Sequence, residues 1–106
     1  MGEEAFLTAV ETTLDRIEDT LDATGLDLDL GRVGNVLQVG FDDGSKIIVN
    51  AQTPMRELWV ATRSGGHHFR LEADHWLGTR AEGELFACLS RWVSAQGGQA
   101  VVLSPR

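Results

Sequence analysis

Cysteine is nearly missing from this chain: Cys88 stands alone, so no internal disulfide can form and no Cys-x-x-Cys pair is available for zinc. Its three histidines, His67, His68 and His75, include no His-x-x-x-His pair, which argues against a buried imidazole-rich metal centre. A lone thiol without disulfides fits a reducing, cytoplasmic setting. No run approaches the roughly 18 apolar residues of a membrane span. The opening MGEEAFLTAVE has no basic region ahead of an apolar block, so neither a membrane span nor a secretory signal is expected. Phosphate-binding glycine loops and nucleophile elbows are also absent, and Cys88, on the flank of an apolar helical stripe, reads as a packed thiol and not a nucleophile. No enzymatic centre is expected.

Positive charge is scarce where it would matter most. Residues 1–30 carry nine carboxylates against Arg16 alone, a net charge of −8, whereas residues 31–106 come to +1. So polarised a field disfavours nucleic-acid backbone and favours cations or basic protein surfaces.

What is present fits one domain over residues 1–106. With 42% hydrophobic residues, a chain of this size buries roughly two thirds of its unfolded surface. Phe6, Val10, Leu14, Ile17 and Leu21 recur at helical spacing and predict an amphipathic helix from Glu3 to about Ala23. After Gly25 come the short β-prone runs Leu28–Val33, Val36–Phe41, Lys46–Asn50, Leu58–Arg63 and His67–Leu71. Asp43-Gly44, Gly34-Asn35 and Gly65-Gly66 supply turn residues between them. A second helix is expected from Thr79 as N-cap, with Glu82 completing a capping box, and Leu85, Phe86, Leu89, Trp92 and Val93 inward as far as Gly97-Gly98. The apolar tail Ala100–Leu103 is expected to cover a sheet edge or the seam between the helices. The fold class is therefore α+β: a two-layer sandwich of one antiparallel sheet of five to six strands, with both helices on one face.

Two surface features stand out. On the first helix Glu4, Glu11, Asp15, Glu18 and Asp22 fall within an arc of about 60°, with Asp19 beside it. Like charges three or four residues apart cost a few tenths of a kcal/mol per pair, which interleaved lysines would normally relieve. A solvated acidic face is the alternative reading. Asp27 and Asp29 alternate with Leu26, Leu28 and Leu30, so a strand there turns both carboxylates outward and extends the acidic surface if it lies beside the helix. Carboxylates without imidazole or thiolate suit hard cations, bound weakly. The second feature is Trp59, which strand alternation sends to the face opposite Leu58 and Val60, beside outward His68 and Arg70. Such an aromatic among polar neighbours is a common interface composition; packing beneath the loop around Pro54 is the alternative. Trp76 and Trp92 read as core residues. His67 and His68 face opposite sides, so at most one can join a metal site.

The stretch Gly44-Ser45-Lys46-Ile47-Ile48-Val49-Asn50, followed by Gln52-x-Pro54, Leu58-Trp59-Val60-Ala61-Thr62 and Gly65-Gly66-His67-His68-Phe69, resembles bacterial frataxin of the CyaY type over nearly the whole chain. The resemblance implies a monomeric α/β sandwich, which could oligomerise with iron. It further implies weak iron binding on an acidic ridge and docking on the cysteine desulfurase and scaffold protein of iron-sulfur cluster assembly. Transferred by position, the ridge comprises Glu11, Glu18, Asp19, Asp22, Asp27 and Asp29, to which Asp15 adds one carboxylate; His68 matches a family histidine implicated in iron binding. Asn50, Gln52, Pro54 and Trp59 fall on the family's partner-binding sheet surface. The chain departs from the pattern at Ala23, which replaces an acid, at Glu57, where glutamine is usual, and at Arg70, which replaces an acidic residue. Two alternatives to an iron-binding accessory role remain at this point: a ferroxidase or iron store, disfavoured by the lack of a Glu-x-x-His pair, and an acidic decoy with no metal function.

Overall fold

The computed structural model describes residues 1–105. Helix α1 spans Glu3–Asp22 and buries Phe6, Val10, Leu14, Ile17 and Leu21, the stripe expected from their spacing. Each such side chain contributes roughly 1.5–3 kcal/mol when fully buried. The helix closes where the Ala23 N–H donates to the Asp19 carbonyl at 3.2 Å, and Gly25 then turns the chain at φ +75°.

Six strands follow: β1 (Asp29–Val33), β2 (Val36–Gly40), β3 (Lys46–Gln52), β4 (Glu57–Thr62), β5 (Gly65–Glu72) and β6 (His75–Gly78). They form one antiparallel meander in the order β1-β2-β3-β4-β5-β6. β6 extends the five runs visible in the sequence; its four residues are too few for period alone to register. Gly34-Asn35 is the two-residue turn between paired Val33 and Val36. Gly65 and Gly66 are not turn residues: they pair with Thr62 and Ala61 at the start of β5, and Arg63-Ser64 makes the turn. Leu37, Val39, Ile47, Val49, Leu58, Val60 and Phe69 point to one face and join both helices in a single core.

The second helix, α2, spans Leu85–Gly97 and starts later than a Thr79 cap would place it. Ala81 and Gly83 sit at φ +64° and +106°, conformations no helix accommodates, and the Gly78 N–H donates to the Gly83 carbonyl at 2.9 Å to close a loop. Glu82 therefore accepts from the Arg80 amide at 2.8 Å, while Glu84 is the N-cap, taking the Phe86 and Ala87 amides at 2.8 and 3.1 Å. Trp76 is a core residue, donating from Nε1 to Thr13 Oγ1 at 2.8 Å. Trp92 is only half-buried, its ring stacked 4.4 Å from His67. The tail lies along the seam between the helices: Leu103 is buried, its N–H meets Ser90 Oγ of α2 at 2.8 Å, and the Ser104 N–H meets Thr20 Oγ1 of α1 at 3.1 Å.

Candidate functional site: an acidic helix edge and an open sheet face

Because the apolar stripe of α1 is turned into the core, Glu11, Asp15, Asp19 and Asp22 are exposed and Glu18 half-exposed. Arg32 is the basic group that reaches this stripe from the sheet. Strand alternation in β1 turns it, with Leu30, toward the helix layer, where one guanidinium nitrogen bonds Asp15 Oδ1 and lies 3.4 Å from Glu18 Oε1. Its other terminal nitrogen donates to the Glu11 carbonyl at 3.4 Å. The bond to Asp15, with the further pull of both carboxylates, raises the Arg32 pKa above its ordinary value despite partial burial. The contact places β1, an edge strand, beside α1. Sequence spacing within the helix could not reveal it, since Arg32 stands 17 residues from Asp15.

Asp27 and Asp29 are exposed at and just before the start of β1. They line a groove of about 330 Å³ with Asp42 from the β2–β3 turn, a carboxylate that reading the first thirty residues alone overlooked. The pairing Asp29↔Gly40 carries the turn there. Among the described residues, no three His, Cys, Asp or Glu side chains are gathered closely enough to hold one ion. The carboxylates are thus arrayed along an edge and not collected into a preformed cage.

On the sheet face away from the helices, register aligns two rows. One runs Val36, Asn50, Trp59, His68; the other runs Gln52, Glu57, Arg70, Leu77. Asn50, Gln52 and Trp59 are thereby brought together, with Pro54 exposed in the 3-10 turn Thr53–Met55 that joins β3 to β4. Trp59 is half-buried rather than freely exposed, because its ring stacks on His68. His68 therefore belongs to this face, on β5, with three strands between it and β1, and is not brought to the helix edge.

Beneath the stack lies Glu57, only 4% exposed although it is on the open face. The Trp59 Nε1–H donates to its Oε1 at 2.9 Å, Arg70 Nε donates to its Oε2 at 3.0 Å, and His68 Nδ1 stands 3.8 Å from Oε1. Glu57 and Arg70 are cross-strand register partners. Glu57 and Arg70 thus form one ion pair across the two strands, and burying the acid is tolerable because the arginine answers it.

His67 faces the helix layer as its strand position requires, with Nδ1 at 3.4 Å from Glu82 Oε2. Cys88 is fully buried, and its burial raises the thiol pKa above the ordinary value, which is a packing role and not a nucleophile's.

The sequence model of the frataxin-like domain matches residues 1–99. The chain is 53% identical over 108 residues to the iron-sulfur cluster assembly protein CyaY of Herminiimonas arsenicoxydans, covering 97% of this chain and 96% of that protein. It is 54% identical over 108 residues to the protein of the same name in Janthinobacterium sp. (strain Marseille), with the same coverage of 97% and 96%. Its backbone superposes on a frataxin from Psychromonas ingrahamii with TM-score 0.92 at 27% identity, covering 98% of this chain and 99% of that one. On yeast frataxin the TM-score is 0.72 at 21% identity, with 88% and 80% covered, a likeness of fold. A meander with two helices on one face, an acidic helix edge beside β1, and these matches along the chain lead to one conclusion: the chain belongs to the frataxin-like family.

Proposed function

We propose that this chain is a non-catalytic accessory protein of iron-sulfur cluster assembly. In this reading it binds iron weakly along the edge formed by α1 and β1 and docks on the cysteine desulfurase and scaffold. The observation that carries the metal part is the exposure of Glu11, Asp15, Asp19, Asp22, Asp27 and Asp29 along that edge, with Arg32 as the basic group set against them. Hard oxygen ligands in an open row hold iron as cargo, exchangeable because no cage closes around it. The open face supplies the docking part: Asn50, Gln52, Pro54 and Trp59 lie outside the helix-covered core, and the stacked, hydrogen-bonded Trp59 is ordered in advance, which lowers the entropic cost of association. His68 acts with Trp59 on that face.

The test is an anaerobic titration of ferrous iron into isotopically labelled protein, followed through backbone amide signals. Shifts and broadening confined to residues 11–29 support the edge as the metal site; effects spread evenly over the chain refute it. Replacing Glu18, Asp19 and Asp22 by Lys should abolish both iron binding and desulfurase association while the fold persists, since like-charge repulsion on the helix falls. Retained iron binding in that triple variant would overturn the metal assignment.

A further inference from the structure

The acidic stripe of α1 is not electrically uniform. Its spacing makes two successive helical neighbour pairs: Asp15 with Glu18, three apart, and Asp19 with Asp22, three apart, each close enough to share a ligand. Among the described residues, only the first pair is occupied by a basic side chain. The Arg32 guanidinium lies against Asp15 and Glu18 together, and its side chain is 23% exposed while that of Asp15 is 60% exposed. A planar fork held by two carboxylates and a backbone carbonyl fills the positions an incoming cation would take. Asp19 and Asp22 remain exposed one turn further along, with no salt bridge recorded to either among the described residues.

We propose that Arg32 is an internal counter-ion that excludes divalent cations from the Asp15–Glu18 half of the stripe and directs them to the Asp19–Asp22 end. A metal ion must displace the guanidinium to reach the first pair, whereas no basic side chain among the described residues stands against the second. This rests on the assignment of the α1 edge as the cation-binding ridge and adds an order of occupancy to it.

The experiment uses Mn²⁺ as a paramagnetic probe on the full chain, comparing the unmodified protein with R32A, R32Q and R16A. In the unmodified protein, amide broadening should centre on residues 19–22. In R32A it should spread to residues 11–18, with apparent affinity there rising roughly two- to five-fold, the size of one partly exposed ion pair. R32Q keeps the side chain's bulk on β1 and should behave as R32A does; unchanged amide shifts of Val33 and Leu37 establish that the β1–β2 pairing survives. R16A removes one positive charge from α1 itself without touching the Arg32 contact, and should leave the broadening map centred on residues 19–22. An R32A map identical to that of the unmodified protein, or an R16A map that matches R32A, overturns the role of Arg32 while leaving the ridge standing. Absence of selective broadening anywhere in residues 11–29 in all four proteins overturns the ridge assignment itself, and the role of Arg32 with it.

Discussion

The rings of Trp59 and His68 lie 4.3 Å apart and only 9° from parallel, on register-paired positions of β4 and β5. Below them the indole N–H is engaged by Glu57, which is also held by Arg70. An aromatic that strand alternation sends outward is thus fixed on both sides, by stacking above and by a hydrogen bond toward the sheet. The open face is therefore a built surface, in which the side chain offered to a partner is also part of the protein's own packing.

Trp59→Ala should cost about 1–3 kcal/mol, because it removes the stack and leaves the buried Glu57 short of a donor. Trp59→Phe keeps a ring on His68 but not the N–H, and should fall between the two. Urea unfolding monitored by far-UV circular dichroism checks the order; each kcal/mol shifts Tm by about 4–8 °C in a domain of this size. Equal stability of all three proteins would contradict the contacts described.

Thr13 is buried in α1 with its hydroxyl accepting from Trp76 Nε1 at 2.8 Å and donating to the Ala9 carbonyl at 2.7 Å. Thr13→Val preserves shape and strands the indole N–H. The expected loss is about 1–3 kcal/mol, read in the same unfolding measurement, whereas Thr12→Val, at an exposed neighbouring position, should change stability by no more than about 0.5 kcal/mol.

Glu82 sets a pH dependence. Burial works to raise its pKa, but the amides of Glu82 and Arg80 and the neighbouring His67 outweigh it and hold the carboxyl below its ordinary value of 4.5. A depressed pKa means that the stabilisation is fully present above about pH 4.5 and is lost as pH falls through the lower folded-state value. The stability difference between the unmodified protein and Glu82→Gln should accordingly be constant above about pH 5 and shrink below it. Unfolding curves taken at intervals between pH 3 and 7 measure this; a difference independent of pH would exclude the carboxylate as its source.

A chain ending at Gln99 loses the burial of Leu103 and the bonds from its N–H to Ser90 and from the Val101 N–H to Ser94 Oγ, at 2.8 and 2.9 Å. The loss should reach roughly 1.5–3 kcal/mol from the leucine alone. Leu103→Ala, which keeps the backbone bonds, should account for most of it, as thermal unfolding of the two variants will show.

Local periodicity was enough to determine much of this protein. The spacing of Phe6, Val10, Leu14, Ile17 and Leu21 located α1 and, by exclusion, its acidic flank; alternation placed Leu58 and Val60 inward and Trp59 outward, and separated His67 from His68. These properties depend on residues a few positions apart, so they are written directly in the order of side chains. The start of α2 was misplaced because a capping pattern at Thr79 and Glu82 says nothing of the left-handed backbone at Ala81 and Gly83 that a closing loop demands. Tertiary structure alone decided that Arg32 crosses to Asp15, that Asp42 joins Asp27 and Asp29 along one groove, and that Glu57 is buried under Trp59 and Arg70. Each of those depends on strand register and on which edge lies beside which helix. Such pairings are fixed by the packing of the whole core, which no short stretch of sequence contains.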